Sequence, residues 1–339
     1  MARADLLKKL FLSFQRRDDQ GFRNVAAELV EEERRKQHVV LAKELENLLS
    51  NGHGSSFSLQ QVVPPPLDSD RRTTLLDVRQ PNRHLEELVL ERPVKDMIER
   101  LLNDFRQWDV LESNGLSPVR RVLFCGPSGC GKTAMAEVLA SELAIPLVYV
   151  RFDSVVSSLL GETAANLRKV IDYARRGEWV IFFDEFDAIG RSRDDATEHG
   201  EIKRVLNSFL QIIDNFNGHS LIVAATNFER VLDLAIWRRF DEVIRFEKPN
   251  ENQIRLVLRK RLGPVHFSDE QVDCLTSQLI GSSYADAERI CFDIRKDLVL
   301  RGDREVRSED IQSAIARHSY RKSVVEKATV SGTATVDRD

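Results

Sequence analysis

The residues Gly126-Pro127-Ser128-Gly129-Cys130-Gly131-Lys132-Thr133 carry the strongest chemical pattern in the chain. Their spacing is G-x-x-x-x-G-K-[ST]. They lie between the apolar run Val122-Leu123-Phe124-Cys125 and a segment that reads as a helix. Glycines let such a loop curl until its backbone N–H groups converge on phosphate oxygens. The N-terminus of the following helix adds positive potential. In that setting Lys132 reaches the β- and γ-phosphates of ATP, and the Thr133 hydroxyl ligates Mg²⁺. The bland alternative is a chance glycine-rich turn, and the complete octet between strand and helix argues against it.

Further along comes Val180-Ile181-Phe182-Phe183-Asp184-Glu185, four apolar residues that end in two carboxylates. Beside a phosphate loop, Asp184 is expected to hold Mg²⁺ directly or through water. Glu185 is expected to accept a proton from the attacking water or to polarise it. Alone, the pair would read equally well as a solvated acidic turn. Asn227 ends the next apolar run, and its amide can both donate to and accept from the γ-phosphate and the water. About a dozen residues on stand Arg238 and Arg239. Paired arginines usually mark a solvated face. Supplied to a neighbouring subunit, they would stabilise charge on a transferring phosphoryl group, which makes self-assembly part of the active site.

The elements that must position these residues follow from the apolar pattern. Val122–Cys125, Leu147–Val150, Val180–Phe183, Leu221–Ala224 and Val243–Phe246 are short continuous apolar runs separated by helical segments. Such runs suit an α/β fold with a parallel sheet covered on both faces. We read residues 85–248 as this nucleotide-binding domain, with a first helix from Leu85 to about Trp108 and Pro93 near its start. Residues 249–318 are helical only, and residues 319–339, rich in Ser, Thr and charge, read as a disordered tail. Residues 1–50 carry apolar stripes at helical spacing, such as Phe22, Val25, Ala26, Leu29 and Val30, and read as a three-helix module. Residues 51–84, with Gly52, Gly54 and Pro64-Pro65-Pro66, read as a linker.

Bulk properties exclude several function classes. The chain has 339 residues and a net charge of −4, so no global basic field points to nucleic acid. Cys125, Cys130, Cys274 and Cys291 form no close pair, which argues against a disulfide framework or zinc site and for a reducing cytoplasm. The N-terminus does not read as a signal peptide, and no apolar run is long enough to span a membrane.

In the order Gly126–Thr133, Asp184-Glu185, Asn227, Arg238-Arg239, the chain resembles the AAA ATPase family, with its Walker A, Walker B, sensor 1 and arginine-finger motifs. Asp187–Arg193 and Asn207–Gln211 also match that family's pattern. The resemblance implies a P-loop NTPase (AAA+) fold, a five-stranded parallel sheet followed by a helical lid. It implies that Gly281-Ser282-Ser283-Tyr284-Ala285-Asp286 starts a lid helix beside nucleotide, with Tyr284 where many members have Gly. It also implies a ring, with a hexamer as the family's usual form. The sequence around Ile236-Trp237-Arg238-Arg239-Phe240 is closer to single-ring members that disassemble or sever protein polymers. The short helical N-terminus is similar to that of bacterial members often encoded beside a subtilisin-like serine protease.

Ser158-Leu159-Leu160-Gly161-Glu162 resembles the family's substrate-gripping pore loop, with Leu159 in the aromatic position; the alternative is that Leu159 and Leu160 are core residues of a strand–helix connection. The expected function is ATP hydrolysis coupled to remodelling of a protein substrate. The alternatives are a DNA-associated AAA+ ATPase, which would bind DNA in a salt-dependent way, and a nucleotide-gated interaction module with little turnover. The presence of Glu185, Asn227, Arg238 and Arg239 argues against the latter.

Overall fold

The computed structural model describes residues 6, 8–9, 21, 24–30, 64–68, 73–151, 155, 160–185, 209–227, 234–263 and 265–333. The expectations for Leu159, for Asp187–Arg193, and for most of the N-terminal module and linker lie outside them. The chain divides into two units, Met1–Pro64 and Pro65–Asp339. In the first, residues 24–30 are helical; Ala26 and Val30 are buried while Ala27 and Glu28 are exposed, the one-sided pattern of an amphipathic helix.

In the second unit the chain runs β1 (Asp77–Arg79), α1 (Arg92–Arg106), α2 (Trp108–Ser113), β2 (Arg121–Cys125), α3 (Lys132–Glu142), β3 (Leu147–Arg151), α4 (Leu160–Ala174) and β4 (Val180–Asp184). It continues through β5 (Leu221–Thr226), α5 (Leu234–Trp237), β6 (Glu242–Arg245), α6 (Glu251–Leu262), α7 (Asp269–Leu279), α8 (Tyr284–Arg301) and α9 (Ser308–Thr333). The sheet order is β1-β3-β4-β5-β2-β6, and β2 to β6 are all parallel to their neighbours. Every residue of β5, and all of β4 but Asp184, is buried, so both faces of the central strands are covered. Phe124, Met135, Leu139, Phe182 and Val223 form the middle of this core.

Three features depart from the sequence reading. A sixth strand, β1, pairs antiparallel with β3, Asp77 opposite Tyr149 and Arg79 opposite Leu147, inside the stretch read as linker. Asp77-Val78-Arg79 has no run of apolar residues to announce it; the free edge of β3 recruits it. Next, Leu85–Glu87 is a single 3₁₀ turn, and the first helix begins at Arg92, with Pro93 in its first turn. Proline lacks an N–H and clashes with the preceding turn, so it starts a helix but does not sit inside one. Finally, α9 continues to Thr333 through much of the expected tail. Ile311 and Ala314 are buried and anchor its start. No Gly or Pro interrupts the sequence from there until Gly332, so propagation is cheap once nucleated.

The helices α6 to α9 pack around Ile254, Leu258, Leu275, Ile290, Ile294 and Leu298. The entries of α6, α7 and α8 are capped reciprocally, Asn250 with Gln253, Ser268 with Gln271 and Ser283 with Asp286.

Candidate active site

In an open parallel sheet, ligands bind beyond the carboxyl ends of the strands, where the strand order reverses. Here β2 enters between β5 and β6, and its carboxyl end runs into the loop Gly126–Gly131. Asp184 ends β4, and Asn227 follows β5. Because β4 pairs with β5 and β5 with β2, the three segments stand side by side at one edge.

The loop is held by its own backbone. Gly126 has φ 137°, and a Cβ there would lie 2.0 Å from the Phe246 carbonyl oxygen. Gly126→Ala is therefore expected to push the loop off β6. Nucleotide affinity should fall at least tenfold and the melting temperature should drop; a titration and a thermal melt check both. Gly131, at φ 98°, turns the chain into α3, whose first residue is Lys132. The Lys132 ammonium is buried and donates to the Gly126 carbonyl at 2.7 Å, to the Pro127 carbonyl at 2.9 Å and to Asn227 Oδ1 at 2.8 Å. A buried charge requires such partners, and they bring the expected phosphate-binding lysine and the expected sensor amide together.

On the other flank, Thr133 Oγ1 donates to Asp184 Oδ2 at 3.2 Å, and the Tyr149 hydroxyl donates to the same oxygen at 2.8 Å. The Glu185 N–H donates to Asp184 Oδ1 at 2.9 Å. Glu185 itself is exposed and has φ 52°, a left-handed conformation that costs a non-glycine residue roughly 1–2 kcal/mol. Strain of that kind gathers at functional turns.

Gly131, Lys132, Thr133, Asp184, Glu185 and Asn227 line one cavity of about 410 Å³. The lid closes it. The Ala285 N–H donates to the Gly129 carbonyl at 3.0 Å. A Cβ on Gly129 (φ 74°) would come within 2.7 Å of Ser283 Oγ, so only glycine permits this approach. Tyr284 packs against both the sheet core and the lid core, and burial pushes its phenol pKa up, so the hydroxyl stays protonated. Burial likewise raises the Cys130 thiol, which argues against a reactive thiolate in the loop. Val89, Leu90 and Val257 add apolar lining, while Arg83 and Lys260 add charge. Sequence reasoning missed these five. The available signal was the apolar pair Val89-Leu90 just ahead of the helix-starting Pro93.

Among the described residues no cluster of three or more His, Cys, Asp and Glu side chains forms a self-sufficient metal cage. The Thr133 hydroxyl and Asp184 carboxylate are hard oxygen donors in contact. That set fits Mg²⁺, which is typically bound by one or two carboxylates together with substrate phosphates.

Arg238 and Arg239 are not in that cavity. They are exposed in the turn before β6, at the opposite edge of the sheet. Arg239 is ion-paired with Asp214, and Arg121 bridges Asp214 at 3.1 Å and Asp241 at 2.7 Å. Arg121 opens β2 and the phosphate loop leaves its far end, five residues on. At about 3.3 Å per residue, roughly 16 Å of strand separates the arginine turn from the loop of the same chain.

A strand, a phosphate-binding loop and a helix, with a carboxylate and an amide on neighbouring parallel strands, define a P-loop nucleotide-binding protein. Residues 122–248 match the model of the "ATPase family associated with various cellular activities (AAA)". An uncharacterised AAA family ATPase of Sinorhizobium fredii is 38% identical over 326 residues, covering 95% of this chain and 97% of that protein. A proteasome-activating nucleotidase of Saccharolobus islandicus is 30% identical over 285 residues, 81% of this chain and 72% of the relative. The ATP-dependent zinc metalloprotease FtsH 3 of Sphaerobacter thermophilus is 28% identical over 261 residues, 74% of this chain but only 53% of the metalloprotease. The chain belongs to the AAA family and is an ATP-hydrolysing enzyme. Among the described residues, no helix is long and apolar enough to cross a membrane.

Proposed function

We propose that this chain is a protein-remodelling ATPase whose hydrolysis sites are completed between subunits of a ring, a hexamer by family likeness. The observation that carries the reading is the separation of Arg238 and Arg239 from their own phosphate loop by the length of β2. Arginines that cannot reach the nucleotide of their own chain are free to serve a neighbour's.

Within one site the loop from Gly126 to Gly131 cradles the phosphates with backbone N–H groups. The residues Pro127, Ser128, Gly129 and Cys130 form its turn. Lys132 trades its contacts with carbonyls and Asn227 for the β- and γ-phosphates. Thr133 and Asp184 hold Mg²⁺, which when bound neutralises charge on the phosphate oxygens. Glu185 takes the proton of the attacking water, and Asn227 orients that water against the γ-phosphate. Arg238 and Arg239 of the adjacent subunit stabilise the charge that spreads over the transferring group.

Two relatives carry names that refer to proteolysis, a zinc metalloprotease and a proteasome activator. These names favour a protein as the substrate. The likeness of the short helical N-terminus to bacterial members encoded beside a subtilisin-like serine protease makes that class the first candidate for a partner captured through residues 1–50. Sedimentation with and without ATP tests the assembly. ATP should shift the chain from small species to a ring, and specific activity should rise with protein concentration. An ATP-bound monomer with full specific activity at every concentration would overturn the reading.

A further inference from the structure

We propose that Tyr149 is a positioning residue for Asp184, and that Arg79 on β1 holds the Tyr149 ring in place for that task. The inference rests on the reading of Asp184 as the Mg²⁺-binding carboxylate.

The geometry begins with strand register. Tyr149 is paired with Phe182, and Arg151 with Asp184. Side chains two apart on a strand share a face, so Tyr149 and Asp184 stand diagonally on one side of the sheet. That diagonal is too long for a small residue and within reach of a tyrosine hydroxyl. The bond forms at 2.8 Å to Oδ2, and the Glu185 N–H takes Oδ1 at 2.9 Å, so both oxygens of the carboxylate are fixed. A hydrogen bond to an ionised carboxylate is of the stronger kind. Groups that orient a metal ligand in this way typically matter about 10–100-fold for metal affinity or activity.

Tyr149 is flanked on its other side by β1, a strand that the hydrophobic pattern does not require. Its register sets Asp77 opposite Tyr149, so Arg79, two residues on, falls diagonal to Tyr149 on the same face. The Arg79 guanidinium lies 3.8 Å from the centroid of the Tyr149 ring, and Asp77 steadies it from 3.3 Å. A cation over an aromatic face is worth about 0.5–1 kcal/mol at an exposed site. The result is a chain of contacts, Asp77 to Arg79 to Tyr149 to Asp184, from an edge strand to the proposed metal site. The simpler account is that a half-buried phenol has found a convenient acceptor and that Arg79 is surface decoration.

The test uses the full chain loaded with ADP and titrated with Mn²⁺, followed by electron paramagnetic resonance, with ADP affinity in EDTA as the control. Tyr149→Phe keeps the ring and removes only the hydroxyl. It should weaken Mn²⁺ binding about tenfold while leaving ADP affinity in EDTA unchanged. Arg79→Met should weaken Mn²⁺ binding about two- to fivefold, and should add nothing in the Tyr149→Phe background. Asp184→Asn is the reference and should abolish Mn²⁺ binding beyond that of free ADP. If Asp184→Asn loses the cation and Tyr149→Phe stays within twofold of the parent, the proposal is overturned. If Asp184→Asn itself retains the cation, the metal reading fails instead. Should Tyr149→Phe melt too early to assay, the partly exposed Arg79 carries the test alone, and an unchanged Mn²⁺ affinity in Arg79→Met overturns the proposal.

Discussion

Replacing Glu185 with Gln is expected to leave ATP and Mg²⁺ bound while cutting turnover about 10²–10⁴-fold, the range typical of a lost general base. The substitution removes a proton acceptor and little else. The contacts of Lys132, Thr133 and Asp184 do not involve the Glu185 side chain. The Glu185 N–H that fixes Asp184 Oδ1 is backbone and survives the change. Lys132→Ala should behave in the opposite way. Its ammonium sits at the loop, held by the Gly126 and Pro127 carbonyls and by Asn227, so its loss should weaken nucleotide binding itself. Nucleotide affinity and phosphate release, measured separately, distinguish the two. A Gln variant that hydrolyses at the parent rate would remove Glu185 from the chemistry.

Arg239→Ala is the second large effect. An arginine supplied to a transferring phosphoryl group is worth about 10³–10⁵ in rate, and the loss should appear in turnover with nucleotide affinity kept. In the chain as it stands, Arg239 is half-exposed and paired with Asp214, which also serves Arg121. An exposed pair of this kind contributes little stability, so the variant should melt near the parent temperature. A purely structural role would show the reverse pattern, with a lower melt and unchanged specific activity of the folded fraction. Arg238 differs in having no ion pair or hydrogen bond among the described residues, so its alanine variant makes a cleaner comparison for charge alone.

The legible part of this molecule was the part with local signatures. The Gly126–Thr133 octet names its own loop and helix. The run Val180–Asp184 announces a buried strand with a carboxylate at its end, and Lys132, Asn227, Thr133 and Asp184 do meet. Features that depend on non-local pairing were not legible. The strand β1 has three residues and no apolar alternation, and exists because β3 offers an edge. Tyr149 reads as one more strand residue until register places its hydroxyl beside Asp184. Val89, Leu90 and Val257 belong to two segments far apart in sequence that only folding brings to one cavity. The helix α9 was misjudged because its Ser, Thr and charge content suggested disorder, whereas its continuation is set by the buried anchor at its start.

The trans arrangement is the centre of this account, and subunit mixing tests it most directly. Glu185→Gln subunits keep an intact arginine turn, and Arg239→Ala subunits keep an intact base. Each alone should be nearly inactive. Mixed in the presence of ATP, they should recover phosphate release at those interfaces where an Arg239 donated by the first kind meets a Glu185 on the second. Recovery should vary with mixing ratio and vanish when a subunit carrying both substitutions replaces either partner. Mixtures that remain as inactive as the separate variants, although both enter the same ring, would contradict the claim that one active site is shared between two chains.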